Sequence, residues 1–115
     1  MKIIEYNKIK YYVGENAKEN WDILDQLKNI NENYIWFHLN SFPSPYVIME
    51  TTILDIEDNN LWKDLLIYGA ELSKNNTKYR NLKNLKICYT TLKKINKGNK
   101  IGEVLIKGKT NIIKL

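Results

Sequence analysis

Few side chains in this sequence can do chemistry. There is one histidine, His38, and one cysteine, Cys88. A thiol–imidazole nucleophile would have to come from that pair, and no spacing supports it; a strand cysteine is more often a small apolar filler. Two such residues are also too few for a Cys/His zinc site, and one cysteine forms no internal disulfide. Gly14 and Gly102 stand isolated, so neither a phosphate loop nor a dinucleotide fingerprint is present. Asp55, Glu57 and Asp58 lack the glycine and distal glutamate of a calcium loop, and are expected to lie in a solvated loop that caps the next helix. Asn75-Asn76-Thr77 matches a glycosylation acceptor, but residues 1–15 hold no apolar leader, so it is read as accidental. The expectation is a protein without catalysis, cofactor or metal.

Two features remain. Ile35-Trp36-Phe37-His38-Leu39 has strand composition, and strand side chains alternate between faces. Ile35, Phe37 and Leu39 then form a core face, while Tyr34, Trp36 and His38 share the other. Trp36 and His38 there either stack on unpaired bases or pack beneath a helix. The second feature is charge. Residues 1–72 carry six basic and twelve acidic groups, a balance of −6, whereas residues 73–115 carry twelve basic groups and one acid, Glu103, a balance of +11. Lys74, Lys78, Arg80, Lys83 and Lys86 fall within thirteen residues, and Lys93, Lys94, Lys97 and Lys100 follow after one strand. Such asymmetry points to a polyanion, and cations on loops suffice to hold a phosphate backbone. With a single arginine, bidentate reading of guanine is poorly supported, so recognition by shape and backbone is expected.

These residues need elements to position them. At 115 residues, 43% hydrophobic and 27% charged, the chain is expected to fold as one globular domain spanning 1–115. No apolar run approaches the roughly 20 residues of a membrane span, and a cytoplasmic location is expected. Ile3 to Val13 reads as two short strands broken near Asn7-Lys8. Residues 16–30 read as a helix capped by Asn16 or Asn20, and 34–39 as a strand. Pro43 and Pro45 impose a turn before a strand from Tyr46 to Thr52. Leu61, Leu65, Tyr68 and Leu72 lie at helical spacing over about 60–75. Leu85 to Thr91 alternates as a half-buried strand. Lys97–Lys100 reads as a turn, and strands at 102–107 and 111–115 close the chain. The fold class is α+β: a mostly antiparallel sheet with two main helices.

In this order the residues resemble the NFACT-R domain, the RNA-binding domain of the NFACT ribosome quality-control factors, which also occurs as standalone proteins. The resemblance rests on Val13-Gly14-Glu15-Asn16 with the later Asn20, Ile35-Trp36-Phe37-His38, Phe42-Pro43 leading to Val47-Ile48, Ser73-Lys74, Ile87-Cys88-Tyr89-Thr90, Lys93-Lys94 and Gly102-Glu103-Val104. Three positions depart from it. Glu15 stands where the family has arginine, Tyr34 where it has aspartate, and Tyr46 where it has a second histidine. The N-terminal region and helical arms of full-length members are not among these residues, so tailing activity is not implied.

The resemblance implies a translation or ribosome quality-control role, with structured RNA (tRNA or rRNA) as ligand and the ribosome or its associated proteins as further partners. Lys74, Lys78, Arg80, Lys83, Lys93, Lys94, Lys97 and Lys100 are the expected phosphate contacts, with Trp36 and His38 shaping or touching the site. Charge alone says polyanion. It leaves open a sequence-nonspecific DNA binder, and the acidic front half leaves open a protein-interaction module docking on a ribosome-associated partner.

Overall fold

The computed structural model describes residues 1–115. The first strands, β1 (Lys2–Tyr6) and β2 (Ile9–Val13), form a hairpin in which Tyr6 faces Ile9. The two residues between them, Asn7 and Lys8, have φ of 49° and 67°, the left-handed geometry whose twist suits a two-residue hairpin loop. Asn16 then caps α1 (Ala17–Ile30), its side chain accepting from Glu19 N at 2.9 Å. β3 (Ile35–Leu39) follows, and the 40–46 loop leads to β4 (Val47–Met49). β4 is shorter than the sequence suggests. Asp55 N donates back to Thr52 O, and the Thr52 hydroxyl meets Asp55 at 3.0 Å, so the chain leaves the sheet in a 3-10 turn at Ile53–Asp55.

Asp58 caps α2 (Asn59–Asn75), accepting from Asn60 N at 2.8 Å and Leu61 N at 3.3 Å. The acidic loop thus does the capping its composition predicts. β5 (Lys86–Thr91) comes next, then a 3-10 turn at Leu92–Lys94, β6 (Ile95–Lys97), β7 (Val104–Ile106) and β8 (Asn111–Lys114). Lys97 therefore belongs to a strand rather than to the following turn. The pairing of Ile95 with Ile106 and Lys97 with Val104 makes a separate hairpin that local composition does not reveal.

Six strands form one antiparallel sheet in the order β1-β2-β4-β3-β5-β8, and β6 and β7 form a second, two-stranded one. The fold is α+β with two main helices, as expected from the sequence. α2 lies on one face of the large sheet, where Leu65, Ala70 and Leu72 meet Tyr11, Phe37 and Val47. The approach is close enough that a Cβ on Gly69 would overlap the Phe37 ring. Tyr11 donates its hydroxyl to Leu65 O at 2.7 Å, and burial pushes its phenol far above the usual range.

α1 and the β6–β7 hairpin lie on the opposite face. Ile23, Leu24 and Leu27 of α1 pack with Trp36, Ile48 and Leu92. β5 is consequently not half-buried: Cys88 and Thr90, its more polar side, are 3% and 5% exposed. Alternation marks two faces, but whether the second is wet depends on what the rest of the chain lays over it. No helix is long and apolar enough to cross a membrane.

Candidate functional site

Coverage of that second face is incomplete. Between the start of α1, the 40–46 loop, Thr77-Lys78 and the β6–β7 hairpin lies a cleft of about 880 Å³, open along one side. Trp36, His38 and Cys88 contribute to it from the sheet, Asn16 from the cap of α1, Asn20 from its first turn, and Ile101 to Val104 from the hairpin. It lies at the end of the sheet where β3 runs into its loop.

The aromatic residues interlock. The His38 and Trp36 rings are parallel to within 3° with centroids 5.3 Å apart, and Tyr46 stands edge-on to both at 5.6 and 5.7 Å. His38 Nδ1 lies 2.7 Å from the Leu39 carbonyl, which can only accept, so that nitrogen carries the proton. Burial lowers the imidazole pKa below its ordinary value, with the Leu39 and Ser44 backbone opposing the shift. His38 is therefore neutral at pH 7 and offers a ring, not a charge.

Trp36 is 1% exposed, so no base can stack on its face as an open strand platform would allow. His38, Tyr46 and α1 close over it, which is the packed arrangement of the two the sequence left open. Its indole Nε1 is buried without a hydrogen-bond partner. Such an orphaned donor is uncommon in a native interior.

Tyr46 stands where the resembled family has histidine. Its hydroxyl donates to the Gly102 carbonyl, drawing the β6–β7 turn over the cleft, and burial raises the phenol pKa. Trp21 Nε1 donates to Glu103 O at 3.0 Å and pins the same turn from α1. The Tyr46 backbone N–H donates to Asn20 Oδ1 at 3.1 Å, and Gly14 N donates to Tyr46 O at 3.0 Å. A Cβ on Gly14 would overlap that same Asn20 oxygen. Gly14, Asn16 and Asn20, three positions that carry the resemblance, thus have structural work: a close approach, a cap and a tie to Tyr46. Glu15 and Glu19 both meet the Met1 ammonium, at 3.5 and 2.7 Å. With these acids and the Asn16 side chain in place, the α1 N-terminus is already satisfied and does not present a bare anion site.

His38 and Cys88 are cross-strand partners. Burial raises the thiol pKa and lowers that of the imidazole, the reverse of what a thiolate–imidazolium nucleophile requires. No group of three or more acidic, histidine or cysteine side chains is placed to hold a metal ion.

The basic residues divide by position. Lys78 borders the cleft, and Lys100 sits in the β6–β7 turn beside it. Lys74 is in the last turn of α2, and Arg80 and Lys83 are on the connector to β5 at the same end of the sheet. Lys93 and Lys94 lie past the other end of β5, about 17 Å away at roughly 3.3 Å per strand residue. Lys97 pairs with Asp25 at 2.8 Å and lies 5.2 Å from the Trp21 ring centroid, so its charge is largely spent inside the fold. The length of β5, which runs between them, separates these groups.

Sequence reasoning did not place Phe42 or Lys86 at the site. Phe42 stacks on Tyr79 with centroids 4.3 Å apart and lines both the cleft and a second hollow of about 380 Å³ bordered by Lys83 and Lys86. An aromatic beside two prolines in a turn was the available signal.

No protein-family model matches the chain, and no curated protein matches it in sequence. Among solved structures, the C-terminal part of the fibronectin/fibrinogen-binding protein from Streptococcus suis superposes with a TM-score of 0.74 at 23% sequence identity. The match covers 94% of this chain and 41% of that one, so this chain spans less than half of its length. The likeness is one of fold: the same α+β arrangement is built in that protein from a largely different sequence.

Proposed function

We propose that this domain is a non-catalytic RNA-binding module, with structured RNA such as tRNA or rRNA as its ligand in a cytoplasmic translation or ribosome quality-control setting. One observation carries the reading. Of the twelve basic side chains after residue 72, Lys97 alone meets a carboxylate within 4 Å. Cations left uncompensated by their own fold are what a phosphate backbone requires, and displaced counterions then favour binding. The resemblance to NFACT-R supplies the choice of RNA. The two basic ends of β5, Lys78 with Lys83 and Lys93 with Lys94, would meet phosphates on either side of a folded RNA.

The test is a titration of folded tRNA and of a charge-matched DNA duplex at two salt concentrations. Tight, salt-sensitive tRNA binding that resists the duplex supports the reading. Changing Lys93 and Lys94 to Glu should weaken it and lower the log–log salt slope by about 1 for each phosphate no longer neutralised. Equal affinity for both nucleic acids would reduce the function to nonspecific polyanion binding, DNA included.

A second reading has its own observation. Ile53 and Leu54 are 61% and 88% exposed on the 3-10 turn, next to Asp55, Glu57 and Asp58. An apolar knob rimmed by acids suits docking into a basic protein, and the structural neighbour is named for binding proteins. Leu54→Asp abolishing recruitment of a ribosome-associated partner, with tRNA affinity unchanged, would favour it.

A further inference from the structure

The cleft and the basic hollow beside it share a ridge. Ser41 and Phe42 line both, so the two depressions lie on either side of one loop. Their chemistry differs. The cleft has apolar walls from Trp36, Leu39, Pro45 and Val104, interrupted by amides and hydroxyls from Asn20, Asn76 and Thr77; Lys78 is its one cation, and its two acids are already engaged, Glu15 by the Met1 ammonium and Glu103 by Asn99 N. The hollow has two lysines, Lys83 and Lys86. A ligand suited to both has a flat apolar body with a hydrogen-bonding edge, and an attached anion. That describes a nucleotide within a strand.

Resting on the RNA reading above, we infer that the cleft takes one unpaired nucleotide of a single-stranded RNA segment, which crosses the Phe42 ridge so that its neighbouring phosphates lie at Lys83 and Lys86. Two further observations support an occupant for the cleft. Trp36, 1% exposed and among its lining residues, carries an indole N–H with no acceptor in the fold. Asn20, also in the lining, uses its side-chain oxygen on Tyr46 N, which leaves its amide hydrogens as donors. A base edge is rich in the acceptors these groups lack, and unpaired bases are what single-stranded RNA recognition reads. Phe42, stacked on Tyr79 on one side, supplies the ridge against which the next base can stack. The volume is within the roughly 300–1,000 Å³ of small-ligand sites, and a paired base, its edge already used, would gain nothing there.

The experiment uses the 15N-labelled protein, whose indole signals from Trp21, Trp36 and Trp62 are assigned with Trp21→Phe and Trp62→Phe. The probes are hexauridylate, hexaadenylate, an abasic ribose-phosphate hexamer, an RNA duplex and free UMP. At least one base-bearing hexamer should bind at least tenfold more tightly than the abasic one and move the Trp36 indole signal. Ile106→Trp, at a rim position 40% exposed, should fill the cleft and bring that hexamer down to the abasic level. Thr110→Trp serves the same purpose if the first variant fails to fold.

Equal affinity for base-bearing, abasic and duplex probes, with the Trp36 signal unmoved, overturns the cleft assignment and leaves the RNA reading standing. UMP binding as tightly as the hexamers overturns the strand assignment in favour of a free-nucleotide site. No binding by any probe or by tRNA overturns both.

Discussion

The two faces of the large sheet are built from neighbouring residues of the same strands and end up differently. On one, α2 covers β2, β3, β4 and β5 with a continuous apolar contact, closed around Phe37 at 0% exposure. On the other, the shorter α1 and the β6–β7 hairpin, drawn in by Tyr46 and Trp21, cover the central strands and leave Ile3 and Ile112 of the edge strands exposed. A single helix seals its face. Two elements meeting over the other leave a seam, and the cleft lies in that seam. Trp36 and Phe37 are adjacent in sequence and both fully buried, yet one belongs to a structural core and the other to the margin of a candidate site.

The sharpest way to break this comparison is to truncate both. Phe37→Ala should cost about 3–5 kcal/mol of stability, read by thermal or denaturant unfolding, because a ring sunk beneath Gly69 leaves a cavity. Trp36→Phe should cost less, since its N–H has no partner to lose. Equal losses, from a change that removes far fewer atoms, would mean that the seam is packed at least as tightly as the sealed face.

Next in size is the charge contrast between the ends of β5. Lys83→Glu with Lys86→Glu should weaken single-stranded RNA binding tenfold or more. The Lys93 and Lys94 reversals should act on folded tRNA and much less on short single strands. Identical profiles for the two pairs would erase the distinction between the ends.

A smaller effect is expected on the α2 side. Ser73 is fully buried with an unpartnered hydroxyl, so Ser73→Ala should be neutral or raise stability by up to about 1 kcal/mol. A loss of stability would show that the hydroxyl has a partner, such as a water, after all.

The smallest is a pH effect on the cleft side. Burial lowers the folded-state pKa of His38, so the unfolded chain binds its proton more readily. Its contribution to stability is complete above the ordinary histidine pKa and is lost as pH falls through the depressed folded value. Unfolding midpoints measured from pH 7 down to 5 should therefore decline, and His38→Gln should flatten that decline. An unchanged slope in the variant would assign the acid sensitivity to other groups.

Much of this architecture is legible in the amino-acid sequence. The alternation at 35–39 separates Phe37 from Trp36 because a strand puts successive side chains on opposite faces whatever surrounds it. Asn16 or Asn20, and the acidic loop before α2, read as sources of caps because a short polar side chain satisfies the free N–H groups of the first helical turn within its own few residues; the structure selects Asn16 and Asp58. The spacing of Leu61, Leu65, Tyr68 and Leu72 places α2 for the same local reason, and the charge imbalance needs only counting. Other features depend on residues far apart in the chain. Whether Trp36 faces water turns on where α1 and a hairpin some 60–70 residues later come to rest. Lys86 and Lys93, seven positions apart, are sent to opposite ends of the sheet by the run of β5, and Lys97 finds Asp25 across 72 residues. Backbone geometry and charge are properties of the local chain, so most elements, the two faces of each strand and the basic excess can be read from it. Burial and the shape of the cleft come from which distant surfaces meet, and tertiary packing alone decided those.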